Sequence, residues 1–236
     1  MFTSHYDIKL EEASAQLRQS SHGLLSVLKR SPEQIPAYTN NAISNLVLTT
    51  LTKHDRVASK HEAQQTYNFL MALAAKASKE GDHNTAILLR SAMLSPGVDR
   101  LTTGKVPRIK KRKRHHDMLH RFDTAYGTFL NCHSTHLQSV LGRNYRDLPS
   151  AMVLHMHTKR TREHAKAFAS IGTMPTKLLH VEQQLKEFIE QATDRSPRDI
   201  AGLYTMEPSH PCLDKGETIS TQLHRLSTLV GNKSKG

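Results

Sequence analysis

At 236 residues the chain fits one large domain or two small ones, and it is long enough to bury a sizeable core. An apolar share of 37% excludes a disordered composition, and no apolar run approaches the roughly 18 residues of a membrane span. The formal net charge of +12 points to anionic partners, while Cys132 and Cys212 allow one bridge but no disulfide framework and no four-cysteine zinc site.

In chain order, the opening MFTSHYDIKLEEASAQ has no basic region leading into an apolar core, so no secretory leader is expected. A reducing, cytosol-like compartment is expected. EASAQLRQSSHGLLSVLKR (12–30) and NNAISNLVLTTLTKHDRVA (40–58) read as helices, with Pro32 and Pro36 punctuating the gap between them. In QQTYNFLMALAAKASKE (64–80), Tyr67, Leu70, Met71, Ala74 and Ala77 share one face at amphipathic spacing. GDHNTAILLRSAMLSPGVDRL (81–101) starts as a helix, halts at Ser95-Pro96-Gly97 and resumes.

KVPRIKKRKRHHDMLHR (105–121) then holds eight Lys/Arg against one acid, with no aromatic residue inside the basic run to stack on bases. Nuclear import is one use for such a run. DMLHRFDTAYGTFLNCHSTHLQSVLG (117–142) makes a further helix despite Gly127. In 175–192, Leu178, Val181, Leu185, Phe188 and Ala192 alternate at three and four residues, with Pro175 suited to a first helical turn. A last amphipathic segment carries Ile219, Leu223, Leu226 and Val230, ahead of a polar tail. Sustained β alternation and internal repeats are absent. The expectation is an all-α chain, a single globular multi-helix domain of about eight to ten helices.

Covalent and metal chemistry find little support. Among sixteen histidines, His115, His116 and His120 can neighbour one another on a helix, and His155 and His157 flank Met156. Neither group shows three ligands in the defined geometry of a zinc site, so surface histidines are expected and no metal. Cys132 with neighbouring His133 and His136 is a possible nucleophile–base pair. Adjacent positions on a helix do not face each other and no third group to orient the base is evident, so a cysteine enzyme is not expected. Acids lie scattered among lysines, so no paired-carboxylate site is expected.

HNTAILLRSAMLSPGVDRL (83–101) resembles the helix-and-turn stretch of the Ras-type guanine-nucleotide exchange factor catalytic domain. The matching features are Asn84 at the helix start, the apolar run 87–89, the Ser95-Pro96-Gly97 turn, and Arg100-Leu101. Other stretches follow in the family's order. ASAQLRQSSHGLLSVLKRSPEQ (13–34) is similar to its opening, and NNAISNLVLTTL (40–51), with Asn41, Ile43 and Ser44, to its next helix. YNFLMALAAKASKEGDHN resembles the helix that leads into the Asn. RNYRDL (143–148) and DIAGLYTMEPSHP (199–211) resemble its downstream and closing motifs. The chain departs from the family in lacking the Thr-Trp pair after Arg100-Leu101, and in carrying Leu94 where the family often has Asn.

The resemblance implies a domain of the exchange-factor type over 12–208, followed by a C-terminal helix and tail over 209–236. It implies no covalent chemistry and no cofactor: the protein would bind a Ras-superfamily small GTPase, displace its switch regions and release GDP. The helical hairpin that does this in the family would fall within 149–175, where Glu163 is the only acid and would take the family's carboxylate role. Lys159 and Lys166 stand at ion-pair spacing from it. Met152, Val153, Leu154 and Met156 are the candidate wedge or packing residues. Ile87, Leu94 and Ser95 would lie nearest the GTPase. The basic patch Lys110, Lys111, Arg112, Lys113 and Arg114 would steer an acidic partner, a membrane surface or an import receptor, with nucleic acid disfavoured. Localisation would be cytoplasmic (the host cytosol for a microbial effector), with a nuclear alternative. The other reading keeps the scaffold without exchange activity, as a helical protein- or nucleic-acid-binding module.

Overall fold

The structure is a computed structural model. It describes residues 5–103, 147–169, 202–214 and 216–232, with isolated positions 109, 113, 117, 118, 120, 121, 124, 183, 184, 186–188 and 190. The described residues are mostly helical, as the periodicity predicts. The named helices are α1 (His5–Arg30), α2 (Ile35–Leu51), α3 (Lys60–Lys79), α4 (His83–Met93), α5 (Pro96–Thr103), α6 (Ala151–Ala169), α7 (Gly202–Thr205) and α8 (Ile219–Asn232). The described positions in 113–124 and 183–190 are also helical, and the rest of the helices expected there lies outside the described residues.

Local chemistry accounts for the boundaries. α1 ends at Arg30, and Pro32–Gln34 forms a single 3₁₀ turn before α2, whose first turn holds Pro36 where a missing N–H costs nothing. Ser59 caps α3 with a reciprocal pair: its hydroxyl accepts from the Glu62 amide, and the Glu62 carboxylate accepts from the Ser59 amide. Arg56 adds a two-pronged ion pair to the same carboxylate and, through its hydrogen bonds first, holds Glu62 down at about 2. Asp82 caps α4 by accepting from the Thr85 amide.

One expected helix is shorter than its pattern. The 40–58 stretch leaves the helix at Leu51 and turns through a two-stranded hairpin, β1 (Thr52–Lys53) with β2 (Arg56–Val57). Thr49, Thr50 and Thr52 each donate a side-chain hydrogen bond to the carbonyl four residues back, which loads the last turns with competing bonds. His54 then takes a left-handed φ of 54° at the hairpin tip. An apolar periodicity ending in Leu-Thr-Lys-His carries no sign of that reversal.

α2 is the central helix and packs against each of the other seven named helices. Its buried residues fall around much of its circumference, including Ala42, Val47, Leu48 and Leu51. Leu24 and Leu28 of α1, Tyr67 and Met71 of α3, and Leu88 and Leu89 of α4 fill the space around it. Each large side chain covered in this way contributes about 1.5–3 kcal/mol. α8 packs on α5, α2 and α3, and its Leu226 and Val230 belong to the same core cluster. The 209–236 segment therefore completes the core through its helix.

The turn between α3 and α4 receives the 147–150 segment as a short parallel bridge. Leu148 donates to the Gly81 carbonyl at 2.8 Å and accepts from the Asn84 amide at 3.1 Å. Gly81 sits at φ +75°, and a Cβ there would lie 2.1 Å from the Asp147 carboxylate. Gly81→Ala combines backbone strain with displacement of the Asp147 side chain, so a loss of about 1–2 kcal/mol is expected in chemical denaturation. An unchanged denaturation midpoint would mean that the turn accepts a Cβ without strain.

Candidate functional site

Among the described residues, the carboxamide of Asn84 joins three separate parts of the chain in the interior. Its Nδ2 donates to Ser21 Oγ at 3.1 Å and to Tyr204 OH at 3.2 Å, and its Oδ1 accepts from the Ala151 amide at 3.0 Å. Asn84 was expected to open its helix. Asp82 performs the capping, two residues earlier, and Asn84 points inward to join α1, α6 and α7. Sequence reasoning did not name Ser21 or Asp82; the Asp-x-x-Thr spacing of 82–85 is the signal that marks the cap.

Asp82 is only 2% exposed. Ser21 Oγ lies 3.5 Å from its Oδ2 and 3.1 Å from Thr85 Oγ1. Burial raises the Asp82 carboxyl above its ordinary value, against the Thr85 and Ser21 hydrogen bonds and the charge of Arg18. Burial likewise raises the Tyr204 phenol, with the nearby Asp82 charge adding to it. Arg18 is fixed at the rim of this node by donating to the Glu80 carbonyl at 2.9 Å. α7, too short to stand alone, is tied to α2 through Asn45 Nδ2, which donates to the Leu203 and Met206 carbonyls at 3.0 Å each.

The expected partner-facing residues fall into three classes. Ile87 and Leu154 are buried in the core, as is Val153. Leu94, 37% exposed, stands on the surface between α4 and α5, next to half-buried Ser95. Ser95, Pro96, Gly97 and Arg100 form one wall of a groove of about 320 Å³ whose other wall is α8 at Ser220–His224. Arg100 reaches His224 Nε2 at 2.9 Å across it.

Met152 and Met156 are partly covered on α6, and Glu163 is exposed. Glu163 makes no ion pair with Lys159 or Lys166. It lines a second groove, of about 370 Å³, between α6 and the corner at Pro32 and Glu33. Ser95 and Glu163 thus line separate grooves that share no residue. Where a hairpin was expected within 149–175, Ala151–Ala169 is one uninterrupted helix, and 170–175 lie outside the described residues.

Of the basic patch, Lys113 is exposed and helical, while Lys110, Lys111, Arg112 and Arg114 lie outside the described residues. Ile109, at the head of that run, is buried, and its amide donates to the Leu101 carbonyl at 2.8 Å. Cys132 also lies outside them, and Cys212 is a free thiol. Among the described residues no group of His, Cys, Asp and Glu could hold a metal ion, and no helix is long and apolar enough to cross a membrane. No protein-family model and no curated protein matches the chain.

Two consequences can be measured. Asn84→Ala strands the Ala151 amide and takes the carboxamide donor from the Tyr204 phenol, while Ser21 Oγ keeps Thr85 and Asp82, so a loss of about 2–3 kcal/mol is expected in urea denaturation. A loss below about 1 kcal/mol would show that the carboxamide bears little of the load. The second concerns pH. A carboxyl whose pKa is higher folded than unfolded supports the fold in its neutral form, and that support is lost as pH rises through the folded value. Asp82→Asn can still cap α4 and does not ionise. Its melting temperature relative to the parent is therefore expected to climb as pH rises above the ordinary carboxylate range. A constant difference would mean that Asp82 carries no burial penalty.

Proposed function

We propose that the chain is a guanine-nucleotide exchange factor for a Ras-superfamily small GTPase, built as a helical scaffold with no covalent chemistry of its own. One observation supports this reading above the others. The stretches that carry the resemblance lie far apart in sequence, yet they meet at the Asn84 carboxamide. Ser21 comes from 13–34, Asn84 from 83–101, Tyr204 from 199–211, and the Ala151 amide follows 143–148 closely. A shared set of motifs whose polar members converge in the interior is what a common scaffold requires.

Exchange is a population shift: a partner favours a GTPase state only by its differential affinity for that state. Nucleotide held at picomolar affinity represents about 16 kcal/mol, and contacts formed with the displaced switches must offset much of it. Under this reading Glu163 supplies the carboxylate, and the Leu94–Ser95 surface meets a different part of the GTPase. The work would be done in a cytoplasmic setting, without metal or cofactor.

A second reading, a binding module that keeps the scaffold and lacks exchange, draws on the burial of Val153 and Leu154, which leaves fewer apolar groups for a wedge. Release of fluorescent GDP from Ras, Rap, Ral and Rab proteins separates the two. Acceleration on at least one of them is expected, slowed by about tenfold in Glu163→Ala, which corresponds to about 1.4 kcal/mol. No acceleration on any of them, with a folded protein, favours the binding module.

A further inference from the structure

The groove beside α6 has a chemistry of its own. His155, Thr158, Lys159, Arg162, Glu163 and Lys166 all line it from α6. Their spacings of three and four residues place them along one stripe of that helix. The opposite wall is the corner at Pro32 and Glu33. Three cations, Lys159, Arg162 and Lys166, therefore run along about 10 Å of helix axis inside a concave surface. None of the three forms an ion pair with a described residue, whereas Arg56, Lys76 and Arg225 each have carboxylate partners. Burial first, and then the Lys159 charge, hold His155 below its ordinary value, so it adds no charge at neutral pH.

We propose that this groove is a docking site for an acidic segment of a protein partner, whose carboxylates pair with Lys159, Arg162 and Lys166. The charge pattern decides among anions. Glu33 and Glu163 interrupt the cations, which penalises the continuous negative charge of a nucleic acid or an anionic membrane. Among the described residues no Phe, Tyr or Trp lines the groove, and the one imidazole there, His155, is half-buried, so bases would find little stacking surface. A peptide can place carboxylates against the cations and backbone amides or neutral donors against the two acids. The net charge of +12 carries such a partner in from a distance, and the groove fixes its register. The inference goes beyond exchange: it concerns binding, and a null result in GDP release leaves it standing.

The test uses the full chain and a fluorescein-labelled peptide carrying Glu at every third or fourth position among Ala and Gln, followed by anisotropy. Arg162→Glu with Lys166→Glu reverses the groove. Lys53→Glu with Lys60→Glu changes the net charge equally at exposed sites elsewhere. The groove pair is expected to weaken binding by about tenfold and the remote pair by less than about twofold. All four side chains are exposed, so melting curves close to the parent's are expected; Arg162→Ala with Lys166→Ala gives a milder version of the same loss. Absence of peptide binding by the parent chain overturns the proposal, and so does equal weakening by both pairs, the mark of unspecific attraction. A duplex oligonucleotide or a phosphatidylserine vesicle that displaces the peptide and shows the same groove dependence overturns it in favour of a polyanion.

Discussion

Asn84 has one carboxamide, and three helices use it. Both of its Nδ2 hydrogens and its Oδ1 are engaged, each with a group from a different part of the chain. At 6% exposure, water cannot substitute for any of those partners. That makes the node an all-or-none constraint: a satisfied buried network rigidifies, and a half-satisfied one is costly. The backbone reinforces it, since the Asn84 amide and the Gly81 carbonyl both pair with Leu148. α1, the α3–α4 turn, α6 and α7 are therefore registered to one another by polar contacts, over and above the non-directional packing of the core on α2.

A second set of contacts closes the C-terminal side. Arg225 of α8 pairs with Asp214 at 2.6 Å and donates to the Cys212 carbonyl at 3.2 Å. Within the same loop, His210 Nδ1 accepts from the Cys212 amide, and its Nε2 meets the His54 carbonyl. With Nδ1 accepting, Nε2 is the ring nitrogen left to donate, which suits the His54 carbonyl. The hairpin that interrupts the expected 40–58 helix thus serves as the anchor for the loop that leads into α8. Gly97 faces α8 across the α5 contact, where a Cβ would meet the Leu223 carbonyl at 3.4 Å, an ordinary contact distance.

Helices were legible wherever apolar residues recur at three and four positions and a breaker follows. Pro32 and Pro36, the Ser95-Pro96-Gly97 interruption and the Ile219–Val230 face all lie where the pattern puts them. The hairpin was not legible, because it depends on His54 accepting a left-handed backbone and on the partner loop at 210–212. Asn84 stood out in the sequence as a helix opener, but its role depends on Ser21 and Tyr204, 63 and 120 residues away. Long-range hydrogen bonds of this kind leave no periodicity. Burial sorted the expected surface residues in a way that residue type could not. Leu94 and Leu154 are the same side chain, one exposed at a helix junction and one enclosed against α1 and α2.

The node and the groove are linked by a single rod. The first turn of α6 is fixed by Asn84 Oδ1 on the Ala151 amide and by Ser150 Oγ, which accepts from the Val153 amide at 3.4 Å. Val153 and Leu154 bury the next positions. From Leu154 the helix runs about 18 Å to Lys166, carrying the cationic stripe outward along the Pro32 corner. A straight helix transmits the orientation of its buried end, so the amide at Asn84 sets where Lys159, Arg162, Glu163 and Lys166 point. The same α1 that supplies Ser21 to the node ends at Arg30, just before the Pro32 corner. Both walls of the groove are therefore positioned from one buried point, while the residues that face a partner contribute nothing to that point. Stability and recognition occupy opposite ends of the same helix, which leaves the exposed end free to vary in charge without loosening the fold.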